Sequence, residues 1–316
     1  MHSITDIIKE MHPEIQICFL DYINDNQKLD DEINRWKSKN DTVLFYCLDN
    51  FRNYKKKMEF IRARYEKFYF TTPGKHNDKK HISNVDYLTR FSCGKHHPKI
   101  KHDLDKKYQF LFLVGKTHSH RLLLLESLAK KGILEKTLFS LRNNYHAYEH
   151  VLPKRVDLPR QYEWPEISDL GGFNAGWHHS DDPMAIAYNK HIGEPHPLLY
   201  KDTAYSIVSE TNIEPNMNYI TEKTWTPIIA EHLIVCQGNK GNNNFLESLG
   251  FSITNDIISD YDETNHEVIT DLCCELNKMP VETVYKHTAK QRLHNRSLAL
   301  DEAHWKKYHM QQISLK

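Results

Sequence analysis

The chain is 316 residues long, about twice the size of a common single domain, so two hydrophobic cores are expected and a peptide or one small module is excluded. Apolar residues at 39% and charged residues at 27%, with 11 Gly and 12 Pro, exclude a chiefly disordered or collagen-like chain. The 42 Lys and Arg balance the 42 Asp and Glu, so no global positive field recruits nucleic acid and any such contact must come from a local patch.

The first residues, MHSITDIIKEMHPEIQ, lack the basic start and apolar core of a secretory leader. No run of about 18 apolar residues occurs, so no membrane span and a cytoplasmic location are expected. Cys18, Cys47, Cys93, Cys236, Cys273 and Cys274 are scattered, three of them in apolar strand-like runs, which suits reduced core thiols better than a disulfide framework. The 21 histidines predict pH-sensitive behaviour.

Apolar runs of strand length recur at Ile15–Leu20, Val43–Leu48, Phe68–Phe70, Phe110–Val114, Tyr205–Val208 and Leu233–Cys236. Helix-like stretches separate most of them, which predicts an α/β fold with largely parallel sheets. From Tyr54 to Lys67, Met58, Ile61, Tyr65 and Phe68 recur at helical spacing and leave a basic face opposite. Residues 51–81 hold ten Lys and Arg against Glu59, Glu66 and Asp78, with aromatics interleaved. Such a face can bind phosphates and stack bases, although a solvated helix face explains it as well. Between Phe70 and Lys107 periodicity is lost, which places a domain boundary near Asp105. The expected division is 1–105, 106–285 and a carboxyl-terminal helix over 286–316.

Tyr108–Gly115 reads as a strand, Lys116–His120 as a short polar loop, and Arg121–Lys131 as a helix stopped by Gly132. The free N–H groups at such a helix start point at the sheet's carboxyl edge, where a phosphate can dock and where Lys116 and Arg121 add charge. An ordinary strand-to-helix turn reads the same way, and neither the dinucleotide nor the P-loop glycine pattern is present. Pro153–Pro197 shows little periodicity and reads as one long loop.

A second strand, Ala204–Ser209, runs into Glu210, Thr211 and Asn212, and a short loop leads to Tyr219-Ile-Thr-Glu-Lys-Thr-Trp225. Thr221 is spaced as an N-cap and Glu222 suits the first helical turn. Lys223 at that position opposes the helix dipole unless an anion faces it. A carboxylate beside a lysine at a parallel sheet's carboxyl edge can hold a ribose diol and a diphosphate. The helix Glu263–Met279 carries Ile269, Leu272, Cys273, Leu276 and Met279 on one face and stops at Pro280, and a polar helix follows from Val281 toward Tyr308.

Ser206–Asn212 with Tyr219–Trp225, followed by a helix, a strand and Gly238, resembles the nucleotide-sugar signature of α-1,3-fucosyltransferases. With His120-Arg121 ahead of it and Gly250-Phe251 behind, it is more similar still to fucosyltransferase-like enzymes of large DNA viruses and phages. The resemblance covers about Tyr108–Met279. It implies a GT-B-like fold, two Rossmann-type domains facing a central cleft, and metal-independent, inverting transfer of a sugar from a nucleotide diphosphate sugar such as GDP-fucose to a glycan hydroxyl. The donor is then a co-substrate, no cofactor is needed, and a viral enzyme would work in the host cytoplasm. Carried over by position, Glu222 is the ribose ligand and Lys223 and Arg121 the diphosphate ligands. Glu210 and Asn212 form the floor near the sugar, and Tyr219 lies against the nucleotide. The family's base is a carboxylate of the N-terminal domain whose motif is not found here; Asp49, just past Val43–Leu48, is the candidate, and a turn-capping Asp is the alternative.

Three other readings stay open. Asp103-Leu-Asp105 and Asp260-Tyr-Asp262 spell the acidic pair of a metal-dependent transferase, without a convincing strand before either. Cys93, His96, His97 and His102 do not match a standard zinc spacing. The basic segment leaves room for transfer to modified nucleic-acid bases, or for a nucleotide- or nucleic-acid-binding module without catalysis.

Overall fold

The computed structural model describes residues 4–19, 26–46, 51–72, 74–76, 80–83, 100–114, 118–141, 197–211, 213 and 217–314. It is mixed α/β, with two four-stranded parallel sheets. The chain divides into two units, residues 1–88, 216–218 and 301–316 in the first and residues 89–215 and 219–300 in the second.

In unit 1, α1 (Ile4–Met11), β1 (Gln16–Phe19), α2 (Asn26–Lys39), β2 (Val43–Tyr46), α3 (Phe51–Arg62), β3 (Phe68–Thr72), β4 (Gly74–His76) and β5 (His81–Ser83) follow in order. The sheet runs β1-β2-β3-β5. Side chains alternate across a strand, so the matched row Ile17, Leu44 and Tyr69 packs under Ile7 and Ile8 of α1. Cys18, Phe45 and Phe70 face the other way, against Leu29, Ile33 and Trp36 of α2 and Met58 and Ile61 of α3. Phe68 opens β3 instead of closing the face of α3, because the helix ends at Arg62 and Tyr65 turns to donate its hydroxyl to the Asp41 carbonyl. The helix Glu302–Ser314 packs on α1 and β5 of this unit, with Lys306 3.5 Å from Glu10.

Unit 2 contains β6 (Tyr108–Val114), α4 (Ser119–Lys130), β7 (Thr137–Leu141), α5 (Pro197–Asp202), β8 (Thr203–Ser209), α6 (Glu222–Ile229), β10 (Leu233–Gln237), α7 (Asn242–Ser248), α8 (His266–Lys278) and α9 (Val281–Leu300). The short β9 (Met217–Tyr219) pairs with β4, and Glu302–Ser314 is α10. Gly132, at φ 71°, ends α4 in the left-handed conformation that favours glycine. Phe110, Phe112 and Val114 of β6 and Tyr205 and Ile207 of β8 bury one face of the sheet against α4, α8 and α9. Leu111 and Leu138 bury the other against Ile100 and the Leu199-Tyr200 pair of α5.

Two boundaries differ from the sequence expectation for physical reasons. Residues 100–105 belong to unit 2, because Ile100 is in its core and His102 Nε2 donates to the Ala230 carbonyl at 2.7 Å. The polar helix from Val281 breaks at Asp301, whose Oδ1 accepts from the N–H groups of Ala303 and His304 at 2.9 and 3.1 Å and starts a new helix.

The order β7-β6-β8-β10 means that the chain leaves β6 in one direction to form β7 and returns to the other side for β8. The carboxyl ends of β6 and β8 therefore flank a topological switch point, the place where parallel sheets open a crevice for ligands. Phe112 is fully buried at the centre of this sheet, so Phe112→Ala is expected to destabilise the protein by about 3–5 kcal/mol in denaturant titration.

Candidate functional site

Glu210 follows directly on β8 at the switch point and is fully buried. Its Oε1 accepts from the Thr221 backbone N–H at 2.9 Å and from the Thr224 hydroxyl at 2.6 Å, and its Oε2 accepts from the Thr221 hydroxyl. The carboxylate thereby pins the first turn of α6 to the end of β8. Thr221 is the N-cap, with extended backbone and a side chain that accepts from Lys223 N–H at 3.3 Å. Burial raises the Glu210 pKa, against the opposing effects of the Lys223 charge and of the Thr221 and Thr224 hydrogen bonds.

Glu222 and Lys223 open α6 and pair side chain to side chain, at 37% and 24% exposure. Burial pushes the Glu222 carboxyl up, but Lys223, the backbone at the helix start and Arg121 outweigh it and hold its pKa below the usual value. Lys223 therefore has two carboxylates beside it, Glu222 in contact and Glu210 close enough to feel its charge. These supply the anion that its unfavourable place in the helix dipole demands. Pro227 has no N–H to offer the Lys223 carbonyl, so the ladder of α6 is interrupted at that residue.

Beneath this corner lies the start of α4. Arg121 is 1% exposed and donates to the Ser209 carbonyl at 3.0 Å. Burial lowers its pKa to about 10, against the pull of Glu210 and Glu222, so it stays charged at neutral pH. His120 Nε2 lies 3.0 Å from the Glu210 carbonyl; a carbonyl only accepts, so Nε2 carries the hydrogen. Burial, with the Arg121 charge adding to it, lowers the His120 pKa to about 4. The His118 and His120 rings stack, 5.6 Å apart and within 8° of parallel.

The end of β10 closes the arrangement. Gln237 Oε1 accepts from the Ser209 hydroxyl at 2.7 Å, its Nε2 donates to the His120 carbonyl at 3.2 Å, and its own carbonyl accepts from Glu210 N–H at 2.9 Å. At Gly238 a Cβ would lie 2.4 Å from Asn242 Nδ2, so a side chain there would have to displace the buried Asn242 amide. Phe251, of the Gly-Phe pair, packs on Trp225 of α6 with ring centroids 5.3 Å apart.

The structure thus brings Arg121, Glu210, Thr221, Glu222 and Lys223 together on one edge. Asp49, Lys116 and Asn212 lie outside the described residues, as do Cys93, His96, His97 and the side chain of Tyr219, which ends β9. His102 is engaged by Ala230 and Lys106. Asp103 Oδ1 accepts from Asp105 N–H and Asp262 Oδ1 from Thr264 N–H, both as local turn contacts. Among the described residues, no group of three or more His, Cys, Asp or Glu converges with the geometry of a metal site. Sequence reasoning missed Thr224, Ser209 and Gln237; the Thr-x-x-Thr spacing across the helix start was the available signal for Thr224.

Comparison of the chain with protein-family models, with curated proteins and with solved structures gave no match in any of the three.

Two measurements test this account. Glu210→Ala strands the Thr221 and Thr224 donors, and is expected to lower stability by on the order of 3 kcal/mol, against about 1 kcal/mol or less for Glu222→Ala at the half-exposed pair. His102 and His120 have pKa values lowered to about 4, and His232 is also lowered, whereas an unfolded histidine titrates near 6.5. Between those values the unfolded chain binds more protons, so these groups take stability away as pH falls from about 6.5 toward 4. Glu210, with a raised pKa, acts in the opposite sense. Melting temperature measured from pH 7.5 to 5 should therefore fall, and His102→Gln should flatten the fall.

Proposed function

We propose that the chain is a metal-independent glycosyltransferase of GT-B type. In this reading it moves a sugar from a nucleotide diphosphate sugar, of the GDP-fucose kind, to an acceptor hydroxyl on a glycan, with inversion. The supporting observation is the partly exposed Glu222–Lys223 pair on the first turn of α6, at the switch-point edge, with Arg121 buried beneath it. Glu222 would accept from the ribose hydroxyls, and Lys223 would exchange its carboxylate partner for the diphosphate. Arg121, bound to Ser209, would act on the diphosphate through its field. Glu210 would serve by positioning α6.

In the reaction an acceptor oxygen attacks the anomeric carbon while a carboxylate takes its proton, with Asp49 as the candidate base. The bond from that carbon to the diphosphate oxygen breaks, and its electron pair leaves with the diphosphate, where Lys223 and the α6 N-terminus stabilise the charge. No metal is required, because cationic side chains and helix N–H groups do that work.

A second reading, transfer to modified nucleic-acid bases or nucleic-acid binding without catalysis, is favoured by unit 1. Arg62, Arg64 and Lys67 are exposed, and Arg64 and Lys80 lie 3.7 and 4.2 Å from the ring centroids of Phe60 and Phe68. DNA binding that weakens steeply with salt would support it.

The first test is a thermal-shift panel of GDP-, UDP-, ADP- and CMP-linked sugars with a chelator present. One nucleotide class should raise the melting temperature, by about 2.7 kcal/mol of stabilisation at 100 times its dissociation constant. Lys223→Ala should fold, since it removes only half of a part-exposed pair, yet lose the shift and cut turnover by roughly 100-fold. A variant with unchanged turnover sinks the role of Lys223, and no shift with any donor sinks the transferase reading.

A further inference from the structure

Residues 100–107 lead into β6 without forming helix or strand, and among the described residues their backbone-to-backbone bonding is local, from Lys106 N–H to the Leu104 carbonyl. Lys101, Asp103, Leu104, Asp105 and Lys107 are exposed. This strap is therefore held to unit 2 by three side chains that turn inward. Ile100, 6% exposed, packs beside Leu111 and Leu138, and His102 and Lys106 hydrogen-bond to unit 2 and to each other.

The two polar clips work only while His102 is neutral. Its Nε2 donates to the Ala230 carbonyl at 2.7 Å, so Nδ1 keeps the lone pair and accepts from Lys106 Nζ at 3.2 Å; Lys106 also donates to the Lys201 carbonyl at 2.7 Å. A proton on Nδ1 would turn that bond into two like charges facing each other. His232 repeats the arrangement, its ring centroid 5.3 Å from that of His102, with Nε2 donating to the Tyr200 carbonyl at 2.8 Å and Nδ1 accepting from the Ser206 hydroxyl at 2.9 Å. The surroundings offer a new charge no relief. From α9, Arg292 and Arg296 oppose protonation of His102, and the Tyr285 ring packs on it at 5.7 Å. From α5 and β8, the Tyr200 ring and the Ser206 hydroxyl bring no charge to His232. The nearby acids serve other cations: Glu231 lies 3.5 Å from Arg296, and Asp103 and Asp202 act on Lys106. Burial lowers the Lys106 pKa to about 8, those two acids opposing and Arg292 and Lys201 adding to the effect. Among the described residues no carboxylate pairs with either imidazole. Burial, with Lys106, Arg292 and Arg296 adding to it, lowers the His102 pKa to about 4, and burial with His102, Lys106 and Arg292 lowers that of His232.

We infer that the His102–Lys106 pair is an acid-released latch: protonation of His102 frees residues 100–107 from unit 2 while the core of that unit stays folded. A free imidazole titrates near pH 6.5 and the docked one near pH 4, so between those values the free strap binds one more proton than the docked strap. The ratio of free to docked strap should then rise roughly tenfold for each pH unit lost in that window. Release also takes the His102 hydrogen bond from the Ala230 carbonyl at the carboxyl end of α6, so the latch reaches the helix that carries Glu222 and Lys223. No group of the Arg121–Glu210 edge takes part, and the latch works whether or not a donor binds there.

The test places a thiol under the strap. Ile100→Cys, alone and together with His102→Gln, is labelled in the full chain with methyl methanethiosulfonate from pH 7.5 to 5 and read by mass spectrometry, each rate being divided by that of a short peptide of the same sequence. Cys273, fully buried in the core of unit 2, is the control for global unfolding. His102→Gln keeps a donor for the Ala230 carbonyl and has nothing to protonate. The thiol at position 100 should label faster than Cys273 throughout, gain roughly tenfold per pH unit below pH 6.5, and lose that dependence in the His102→Gln background. On the unsubstituted chain, which needs no variant to fold, hydroxyl-radical oxidation of Ile100 should rise between pH 7.5 and 5 while that of Phe112 stays low. Labelling at position 100 that only tracks Cys273, labelling without pH dependence, the same dependence in His102→Gln, or unchanged oxidation of Ile100 overturns the latch.

Discussion

One buried carboxylate determines where α6 begins. Placing Glu210 in the interior at the end of β8 is costly unless donors meet the carboxylate, and the Thr221 N–H and the Thr221 and Thr224 hydroxyls do so on both of its oxygens. The requirement runs both ways, because a helix start has N–H groups without partners inside the helix. The other end of α6 is held by the opposite sign of charge. The carbonyls of Ile229, Ala230 and Glu231 accept from Arg296, His102 and Arg292, which suits the negative end of the helix dipole. Glu231 takes a left-handed φ of 60° just past this helix, a position where glycine is usual, and Arg292 on its carbonyl with Arg296 beside its side chain hold it there. Anchored at both ends, α6 keeps Glu222 and Lys223 at a fixed height over the sheet edge.

How much of this was legible depended on distance along the chain. The apolar strands Val43–Tyr46, Tyr108–Val114, Thr203–Ser209 and Leu233–Gln237 announced themselves, since burial on both faces leaves a continuous apolar run. Thr137–Leu141 and His81–Ser83 did not, being short strands at sheet edges with polar residues among them. The N-cap Thr221 was readable because capping is local. The partners of Glu210 lie 11 and 14 residues away, and no period links them. Lys223 showed the same gap: its sequence position demands an anion, and only the fold reveals that Glu222 and Glu210 already provide one.

The histidines divide into structural and exposed groups. His232 is buried between the Ser206 hydroxyl and the Tyr200 carbonyl, His102 between Lys106 and Ala230, and His120 against Glu210, each neutral in its place. A neutral imidazole offers one donor and one acceptor, which is what these sites use, and burial, with the nearby cations adding to it, keeps it from charging. High histidine content is therefore partly a packing choice at polar junctions.

Unit 1 draws its elements from distant parts of the chain. Its sheet is complete in sequence at Ser83, yet α10, which packs on α1 and β5, follows roughly two hundred residues later, after all of unit 2. Since domains tend to fold as units while the chain is being made, the sheet would emerge from the ribosome with one part of its surface still uncovered. The first unit to be made is the later one to be finished, and a break anywhere within unit 2 during synthesis would leave that surface of α1 and β5 exposed to chaperones and proteases.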